Sequence, residues 1–312
     1  MEKIKNVKIG DRPEMALKFQ SIQFKKTTAN DEYASLVGFD GEDLIEVKIW
    51  SLPEGKKEIL KPGEIYIVSG TIKDYQGKKQ FNVSDFRVAL DSEVDKSAFY
   101  EYAPLSKVEL QTKISAYINK INNANLHKIV VTTLKKYVND YFEYPAAVSI
   151  HHNYICGLAY HVYSMLVLAD TYLKQYQYLN RDLVYAGIIL HDIGKVKELS
   201  GSKGVEYTKA GNLLGHITIG ATIVSNVCES LGLGETEEAV CLIHMILAHH
   251  GELEYGSPKE PLMAEAALLY YLDFTDSRFA SLEKYYRTTN KGEYTDQIFA
   301  FDKKSFYIPK ID

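Results

Sequence analysis

A histidine and an aspartate stand side by side, His191 and Asp192, at the end of an apolar run. Gly194 and Lys195 follow almost at once. The pair alone is a common dipeptide, but most of the chain's nine histidines lie between residues 151 and 250, around it. Imidazole nitrogens with a few carboxylates suit transition metals such as Mn²⁺, Fe²⁺, Co²⁺ or Zn²⁺, whereas Mg²⁺ and Ca²⁺ prefer oxygen ligands. The concentration of histidines therefore predicts a transition-metal site around this pair.

Five histidines and two aspartates form the predicted ligand set: His161, His191, Asp192, His216, His249, His250 and Asp273. Each has a structural alternative. A lone histidine in an apolar helix, such as His161, is more often a hydrogen-bonded core residue, and His249-His250 could be a polar helix end facing the helix dipole. Asp273 lies in an apolar stretch, where burial is costly unless the carboxylate is paired or bound to metal. Asp276, one turn on, could be its neighbour. Together the residues favour the metal interpretation.

The elements that must position these residues are helical. Ser106-Lys-Val-Glu109 is a capping box, which predicts a helix start. Helices are predicted over residues 106–121, 125–142, 155–178, 181–197, 212–231, 235–250 and 261–287. His191 and Asp192 end the helix that begins near Arg181, and adjacent residues on a helix diverge by about 100°. The pair can therefore serve one ion close to the helix end, or Asp192 can bridge two.

The first 90 residues have a β pattern. Apolar and alternating segments bounded by turn residues predict strands over 34–39, 44–50, 65–72 and 80–83, with a hairpin tip at 75–78. About five short strands in this length suggest a small closed or partly closed barrel. The predicted fold class is multidomain α and β. An OB-like β-barrel over residues 1–90 is followed by a linker over 91–105 and an all-α domain over 106–312.

The order of elements in the barrel resembles an OB-fold of the nucleic-acid-binding kind. Such barrels bind single strands by stacking bases on aromatic side chains, with lysines along the path of the backbone. The candidate contacts are Trp50, Tyr75 and Phe81 with Lys48, Lys73, Lys78 and Lys79. The alternative is that Trp50 and Phe81 are core residues and the lysines a solvated loop. For any single residue the alternative is favoured, but for the module as a whole nucleic-acid binding is favoured.

Composition limits the partners and the compartment. With 36 Lys+Arg against 41 Asp+Glu, the net charge of −5 gives no global basic signature, so nucleic acid must be held by local patches. The three cysteines, Cys156, Cys228 and Cys241, form no C-x-x-C pair, which favours buried thiols in a reducing compartment. The N-terminus lacks the apolar core of a signal peptide, and no apolar run approaches membrane-spanning length. We expect a cytoplasmic protein without membrane association.

The order H…HD…H…HH…D resembles that of the HD-domain metal-dependent phosphohydrolases. Further motifs are Tyr144-Pro-Ala-Ala, His151-His152-Asn153, Gly187-Ile-Ile-Leu-His-Asp-Ile-Gly-Lys195, Glu198-Leu-Ser-Gly201, Gly211-Asn-Leu-Leu-Gly-His216 and the segment from His244 to Pro258. With the OB-like front, they make the chain similar to the YhaM-like bacterial 3′→5′ exoribonucleases, which join an OB-fold to an HD domain. The resemblance covers nearly the whole chain and is weakest over residues 1–60 and beyond about 285.

The resemblance implies a site with two divalent transition-metal ions, Mn²⁺ being the expected ion and Co²⁺, Fe²⁺ or Zn²⁺ alternatives. One ion would be held by His161, His191, Asp192 and Asp273, and the second by His216, His249 and His250 with Asp192 bridging. Lys195 is expected to bind a non-bridging phosphate oxygen, or alternatively to neutralise the dipole at a helix C-terminus. His151 and His152 could equally contact phosphate or orient metal ligands.

The implied activity is 3′→5′ hydrolysis of single-stranded RNA by two-metal catalysis, releasing 5′-mononucleotides. Single-stranded DNA stays open as a substrate, because nothing visible must read the 2′-hydroxyl. One alternative is a phosphohydrolase of small or cyclic nucleotides, which the OB-like front disfavours. Another is a DNA- or RNA-binding protein with a structural metal site. A homo-oligomer is also open, since the tyrosine-rich helices and the C-terminal stretch could form an interface.

Overall fold

The computed structural model describes residues 1–27, 30–50, 55–147, 152–203 and 205–311. The strands are β1 (Glu14–Lys26), β2 (Glu32–Phe39), β3 (Leu44–Ile49), β4 (Ile65–Tyr75) and β5 (Lys78–Val88). The helices are α1 (Lys107–Ile118), α2 (Ala124–Glu143), α3 (Gly157–Gln175), α4 (Arg181–Leu190), α5 (Lys195–Glu198), α6 (Lys209–Ser230), α7 (Glu237–Ala248) and α8 (Ala264–Thr288). The chain divides into two compact units: the first is Met1–Glu101 with Lys203–Val205, and the second is Tyr102–Ser202 with Glu206–Asp312.

The strands of the first unit form a closed barrel in the order β1-β2-β3-β5-β4. β3 and β5 pair in parallel, and the other neighbours are antiparallel. Ile45, Val47 and Ile49 alternate with outward residues along β3 and fill the interior, as period 2 requires. β1 was not predicted. Its register shifts between Phe19 and Ser21, which interrupts the alternation of inward and outward side chains. The predicted fold class, a five-stranded barrel followed by a helical domain, is confirmed.

Of the linker predicted over 91–105, residues 91–101 belong to the first compact unit and are not a linker. Phe99 and Tyr100 are buried in the first unit, with 6% and 8% of their surface exposed. The Tyr100 hydroxyl donates a hydrogen bond to the carbonyl of Gly63. Aromatic side chains that are buried in this way bind the segment to the barrel unit, so its acidic composition does not indicate a free spacer.

The second unit is built around α4. Every residue from Leu183 to Leu190 is buried, which explains the apolar run that delivers His191. The single helix predicted over 181–197 is wrong, because the backbone leaves the helix after Leu190 and resumes at Lys195 as α5. In the part of the chain that the structure describes, no helix is both long and apolar enough to cross a bilayer.

The C-terminal stretch forms a hairpin over residues 294–307, called the C-terminal hairpin below. Antiparallel bridges join Tyr294 to Tyr307 and Ile298 to Lys304. A 3₁₀ turn, Phe299–Phe301, lies at its tip. Ile298 is 1% exposed, so an apolar contact as well as the bridges holds the hairpin in place.

Candidate metal centre

Asp192 lies at the centre of the histidine cluster with only 2% of its surface exposed. Its Oδ2 is 3.3 Å from His191 Nε2 and 3.8 Å from His161 Nε2. Its Oδ1 is 3.4 Å from His216 Nε2 and 3.7 Å from His249 Nε2. The two oxygens of one carboxylate therefore face two different groups of imidazoles.

The remaining predicted ligands complete these two groups. On the first side, Asp273 Oδ1 lies 3.2 Å from His161 Nε2. On the second side, the centroid of the His250 ring is 4.5 Å from the centroid of the His249 ring and 5.2 Å from that of the His216 ring. Ligand atoms lie within 4.8 Å of one another in the groups His161–His191–Asp273 and His216–His249–His250. The fold thus brings all seven predicted ligand residues together, although they are spread over more than 100 positions of sequence.

Helix ends fix the orientation of two of the imidazoles. His191 Nδ1 is 2.8 Å from the carbonyl oxygen of Ile188, and His249 Nδ1 is 2.7 Å from that of Ile246. A carbonyl can only accept, so in both residues Nδ1 carries the proton. The Nε2 atom of each ring then presents a lone pair towards Asp192, which is the form that binds metal.

Carboxylates orient two further imidazoles. Asp276 Oδ2 lies 2.7 Å from His161 Nδ1. Glu198 Oε1 lies 3.1 Å from His216 Nδ1 and accepts from the His216 backbone N–H at 2.9 Å. Such pairs fix the ring and raise its basicity as a ligand. Glu198 has no predicted role, and Asp276 was expected only as a neighbour of Asp273, whereas its partner is the His161 imidazole.

His152 contacts Asp276, the carboxylate that orients His161. Its Nε2 is 2.8 Å from Asp276 Oδ2, and its Nδ1 is 2.5 Å from the Tyr154 hydroxyl. Ser164 donates to the other oxygen of the same carboxylate. Because both nitrogens of this buried ring have partners within the protein, the predicted phosphate contact of His152 is corrected to its alternative, the orientation of a ligand. His151 lies outside the described residues.

The chemistry of the unpartnered atoms tests whether these residues fit a metal. Among the buried side-chain atoms that the structure describes, Nε2 of His191, His216 and His249 and Oδ1 of Asp192 have no hydrogen-bond partner. A buried polar atom without a partner costs about 1–3 kcal/mol. Four such atoms converge here, and nitrogen and oxygen donors in this combination fit a divalent transition-metal ion. The residues therefore fit the group that the sequence predicts.

The charges of the centre agree with this chemistry. Burial by itself would raise the pKa of the Asp192 carboxyl, but the charge of the Lys195 ammonium outweighs it and holds the pKa well below its usual range. Burial, together with the neighbouring His250, lowers the pKa of His249 well below its usual value. At neutral pH Asp192 is thus ionised and His249 neutral, the forms in which both residues bind metal.

Lys195 lies against the centre. Its Nζ is 2.6 Å from Asp192 Oδ2, and only 8% of the residue is exposed. Burial lowers its pKa, but the charge of Asp192 outweighs this and raises it, so the ammonium stays protonated. The alternative role at a helix C-terminus has no basis, because α4 ends at Leu190 and Lys195 opens α5.

Two glycines position α6 against the centre. A Cβ at Gly194 would lie 1.9 Å from the carbonyl oxygen of His216 and 2.7 Å from the amide nitrogen of Gly220. Gly215 has φ +70°, a conformation that interrupts α6 just before His216. The absence of a side chain at Gly194 lets the His216 backbone approach the turn that carries Asp192, whereas Gly215 is needed for its positive φ.

A cavity of about 830 Å³ opens beside the centre. Lys195, His216, His250 and Asp273 line its inner end. Its volume is within the range of about 300–1,000 Å³ typical of small-molecule sites. A substrate group in this cavity would therefore lie against the candidate metal ligands.

In the barrel, Trp50 is 47% exposed and stacks on Tyr33 with ring centroids 4.8 Å apart. The Lys48 ammonium lies 5.7 Å from the Tyr33 ring centroid. Phe24, also exposed, has the Lys57 ammonium 4.7 Å above its ring. Both ammonium groups are paired with glutamates, Lys48 with Glu46 at 2.7 Å and Lys57 with Glu32 at 2.9 Å. The exposed rings are therefore the feature of this face that suits single-strand binding. Tyr33 and Phe24 were not predicted; Tyr33 is the second residue of β2, and Phe24 lies two residues before the end of β1.

The other barrel candidates differ in their placement. Tyr75 is 53% exposed, and Lys73 and Lys78 beside it are exposed on the hairpin between β4 and β5. Among the described residues, no ring contact joins Tyr75 to Trp50. Phe81 is 0% exposed and belongs to the barrel core, so its predicted stacking on a base is wrong.

Comparison with known proteins identifies the family. The model of the HD domain matches residues 158–277. A protein named 3′-5′ exoribonuclease YhaM from Listeria innocua is 40% identical, over 100% of both chains. The protein of the same name from Geobacillus sp. is 39% identical, over 98% of this chain and 94% of its own. This chain belongs to the YhaM family. The family predicted from the motifs is confirmed, and so is the expected class of enzyme, a metal-dependent hydrolase.

One solved structure, a domain of replication protein A from Methanococcus maripaludis, also matches. The match covers 28% of this chain and 92% of that chain, with 22% identity and a TM-score of 0.25. A score this low adds nothing to the family assignment.

Replacing Asp276 by asparagine is expected to weaken metal binding on the first side of the centre about 10- to 100-fold, because the amide cannot accept strongly from His161 and His152 at once. Titration of the metal-free protein with Mn²⁺, followed by calorimetry, measures this. Glu283→Gln is the matched control on α8, since the side chain of Glu283 is 62% exposed and its carboxylate pairs with Arg287 at the surface. Equal affinities in the two variants would contradict an orienting role for Asp276.

Proposed function

We propose that this member of the YhaM family is a 3′→5′ exoribonuclease that uses two metal ions to hydrolyse single-stranded RNA and releases 5′-mononucleotides. The observation that carries the proposal is the position of Asp192. One of its oxygens faces His191 and His161, and the other faces His216 and His249. A carboxylate so placed suits a ligand shared between two ions.

Divalent ions bound there, with Mn²⁺ expected and Co²⁺, Fe²⁺ or Zn²⁺ as alternatives, would supply a nucleophile at neutral pH and neutralise charge on the phosphate being cleaved. The protein's own part is to hold and orient. Asp192 serves as the shared ligand. Lys195 lies 2.6 Å from Asp192 and lines the cavity, from where its ammonium would bind a non-bridging phosphate oxygen as a point charge.

The barrel would hold the strand with little sequence preference. Trp50 and Tyr33 offer stacked rings at its surface, and the Lys48 ammonium, which is paired with Glu46 at 2.7 Å, lies beside them. Stacking tolerates any base because every base has a π face. Tyr75, Lys73 and Lys78 are further proposed contacts on the exposed β4–β5 hairpin. Neither set requires a 2′-hydroxyl, so we include single-stranded DNA as a proposed ligand.

Replacing Trp50 by alanine is expected to weaken RNA binding about 5- to 150-fold, because one base–aromatic stack contributes about 1–3 kcal/mol. Fluorescence anisotropy of a labelled oligoribonucleotide with the full-length protein measures the change. Tyr286→Ala is the control, since this tyrosine of α8 is 42% exposed in the helical unit. If both variants bind like the unmodified protein, Trp50 has no part in RNA binding.

The proposed function is tested with 5′-end-labelled single-stranded RNA and DNA in the presence of Mn²⁺. Stepwise shortening of the labelled RNA with release of 5′-mononucleotides supports the proposal. Hydrolysis of cyclic dinucleotides alone would favour a small-nucleotide phosphohydrolase. Binding without any hydrolysis would favour a nucleic-acid-binding protein with a structural metal site.

We also propose the cytoplasm as the location and a homo-oligomer as the assembly. The three cysteines are free thiols, as expected in a reducing compartment. Tyr172, Tyr176 and Tyr178 are exposed near the end of α3, and the rings of the first two stack with centroids 6.3 Å apart. Such a cluster would suit contacts between copies. Light scattering after size-exclusion chromatography tests the assembly, and a monomeric mass would contradict it.

A further inference from the structure

One wall of the cavity is formed by a single face of α8. Tyr270, Asp273, Phe274, Ser277 and Arg278 line the cavity, and their three- and four-residue spacing places them on one side of the helix. Asp273 belongs to the metal centre, so the wall begins within the catalytic site. Arg278 lies five residues further on, about 7.5 Å along the helix axis.

Arg278 is held by aromatic rings. Its guanidinium lies 4.0 Å from the centroid of Phe274 and 5.5 Å from that of Phe301. Across the described ranges, no carboxylate forms an ion pair with it, whereas Lys195 in the same cavity is paired with Asp192. A guanidinium that is fixed by stacking and keeps its N–H donors available is suited to bind a phosphate.

The tip of the C-terminal hairpin adds to this wall. Phe299 lines the cavity and is nevertheless 73% exposed, and Phe274 is 37% exposed. Asp302 and Lys303, also at the cavity, have φ of 54° and 59°, a conformation unfavourable for residues other than glycine. Hydrogen bonds across the hairpin, such as Lys303 N–H to the Ile298 carbonyl at 3.0 Å, hold this strained tip. Strain of this kind is typical of functional segments.

We infer that this wall is the subsite for the nucleotide at the 3′ end of the RNA, an inference that rests on the proposed function. The rings of Phe274 and Phe299 stack on the terminal base. Arg278 binds a phosphate of the strand other than the one being cleaved. Lys303 adds a second positive charge, and Lys304, 3.9 Å from Asp302, offsets the acidic charge of the tip. A nucleotide fits this wall because its base offers a flat face to the rings and a phosphate of the strand offers an anion to the guanidinium.

The test measures the 3′ end directly. Two oligoribonucleotides carry 2-aminopurine, whose fluorescence falls on stacking, one at the 3′-terminal and the other at the 5′-terminal position. Each oligoribonucleotide is bound to the full-length protein in the presence of a chelator, which prevents hydrolysis. We expect the fluorescence of the 3′-terminal probe to be quenched by the unmodified protein and not by Phe299→Ala. We also expect Phe299→Ala and Arg278→Gln each to bind the RNA about tenfold more weakly (about 1.4 kcal/mol). With Mn²⁺ present, the same variants raise KM more than they lower kcat.

Matched controls come from the same helix. Phe279→Ala and Arg287→Gln change an exposed phenylalanine and an exposed arginine of α8 that do not line the cavity. Both should behave like the unmodified protein.

Quenching that survives in Phe299→Ala, or an equal loss of quenching in the controls, overturns the subsite. Stepwise digestion with an unchanged KM in Phe299→Ala overturns the subsite but leaves the proposed function intact. Phe299-dependent quenching without any digestion supports the subsite and overturns the function.

Discussion

Replacing Asp192 by alanine is expected to remove metal from both sides of the centre and to lower hydrolysis of RNA at least about 10³-fold. The reason is that its two oxygens face His191 on one side and His216 on the other, at 3.3 and 3.4 Å, so one substitution takes a ligand from both ions. Losing several kcal/mol of charge stabilisation corresponds to this loss of rate. Metal content by mass spectrometry and digestion of labelled RNA measure the result. RNA binding should remain, because Trp50 and Tyr33 are unchanged.

A control must separate loss of metal from loss of the fold. Lys195 is bonded to Asp192 at 2.6 Å, and removal of one partner of a buried ion pair costs about 3–5 kcal/mol. The double variant Asp192→Ala/Lys195→Met contains neither charge. We expect its melting temperature to recover relative to Asp192→Ala, while hydrolysis stays absent. Hydrolysis at an unaltered rate in either variant would contradict the role given to Asp192.

Replacing Gly194 by alanine is expected to lower hydrolysis about 10²-fold by displacing the second side of the centre. The new Cβ would lie 1.9 Å from the His216 carbonyl oxygen, a backbone atom, so α6 must move. His216 Nε2 would then leave its position 3.4 Å from Asp192 Oδ1. Displacement of a catalytic group by about 1 Å costs about that factor, and overpacking costs about 1–3 kcal/mol of stability.

Gly187→Ala is the matched control for this prediction. Its Cβ would also meet an atom closely, but that atom is the terminal Cε of Met245, at 2.3 Å, which a flexible side chain can move away. We expect Gly187→Ala to bind metal normally with a small loss of stability. If Gly194→Ala also binds two ions as tightly as the unmodified protein, the close approach of α6 is not what positions His216.

The ligand residues could be predicted from the sequence because imidazoles and an aspartate within apolar helices are costly to bury without a purpose. His161 and Asp273 stand out for this reason. The carboxylates that orient the imidazoles could not be predicted in the same way. Glu198 and Asp276 are common residue types on helices, and only the folded chain brings them to His216 and His161.

Element boundaries near the site were harder to predict. The apolar pattern of α4 continues through Ile193 and Val196, both buried, so periodicity alone did not reveal the turn that carries Asp192. In the barrel, Phe81 follows Gln80, and both are buried, which breaks the alternation that would have assigned the ring to the core. The C-terminal hairpin has two bridges and a strained tip, features that depend on contacts distant in sequence.

Anomalous scattering from a crystal of the full-length protein with Mn²⁺ is the direct test of whether Asp192 is shared between two ions. We expect two anomalous peaks about 3.5–4 Å apart. Asp192 Oδ2 should contact one, together with His191, and Asp192 Oδ1 the other, together with His216. A single peak, or two peaks of which only one contacts Asp192, would contradict a shared ligand.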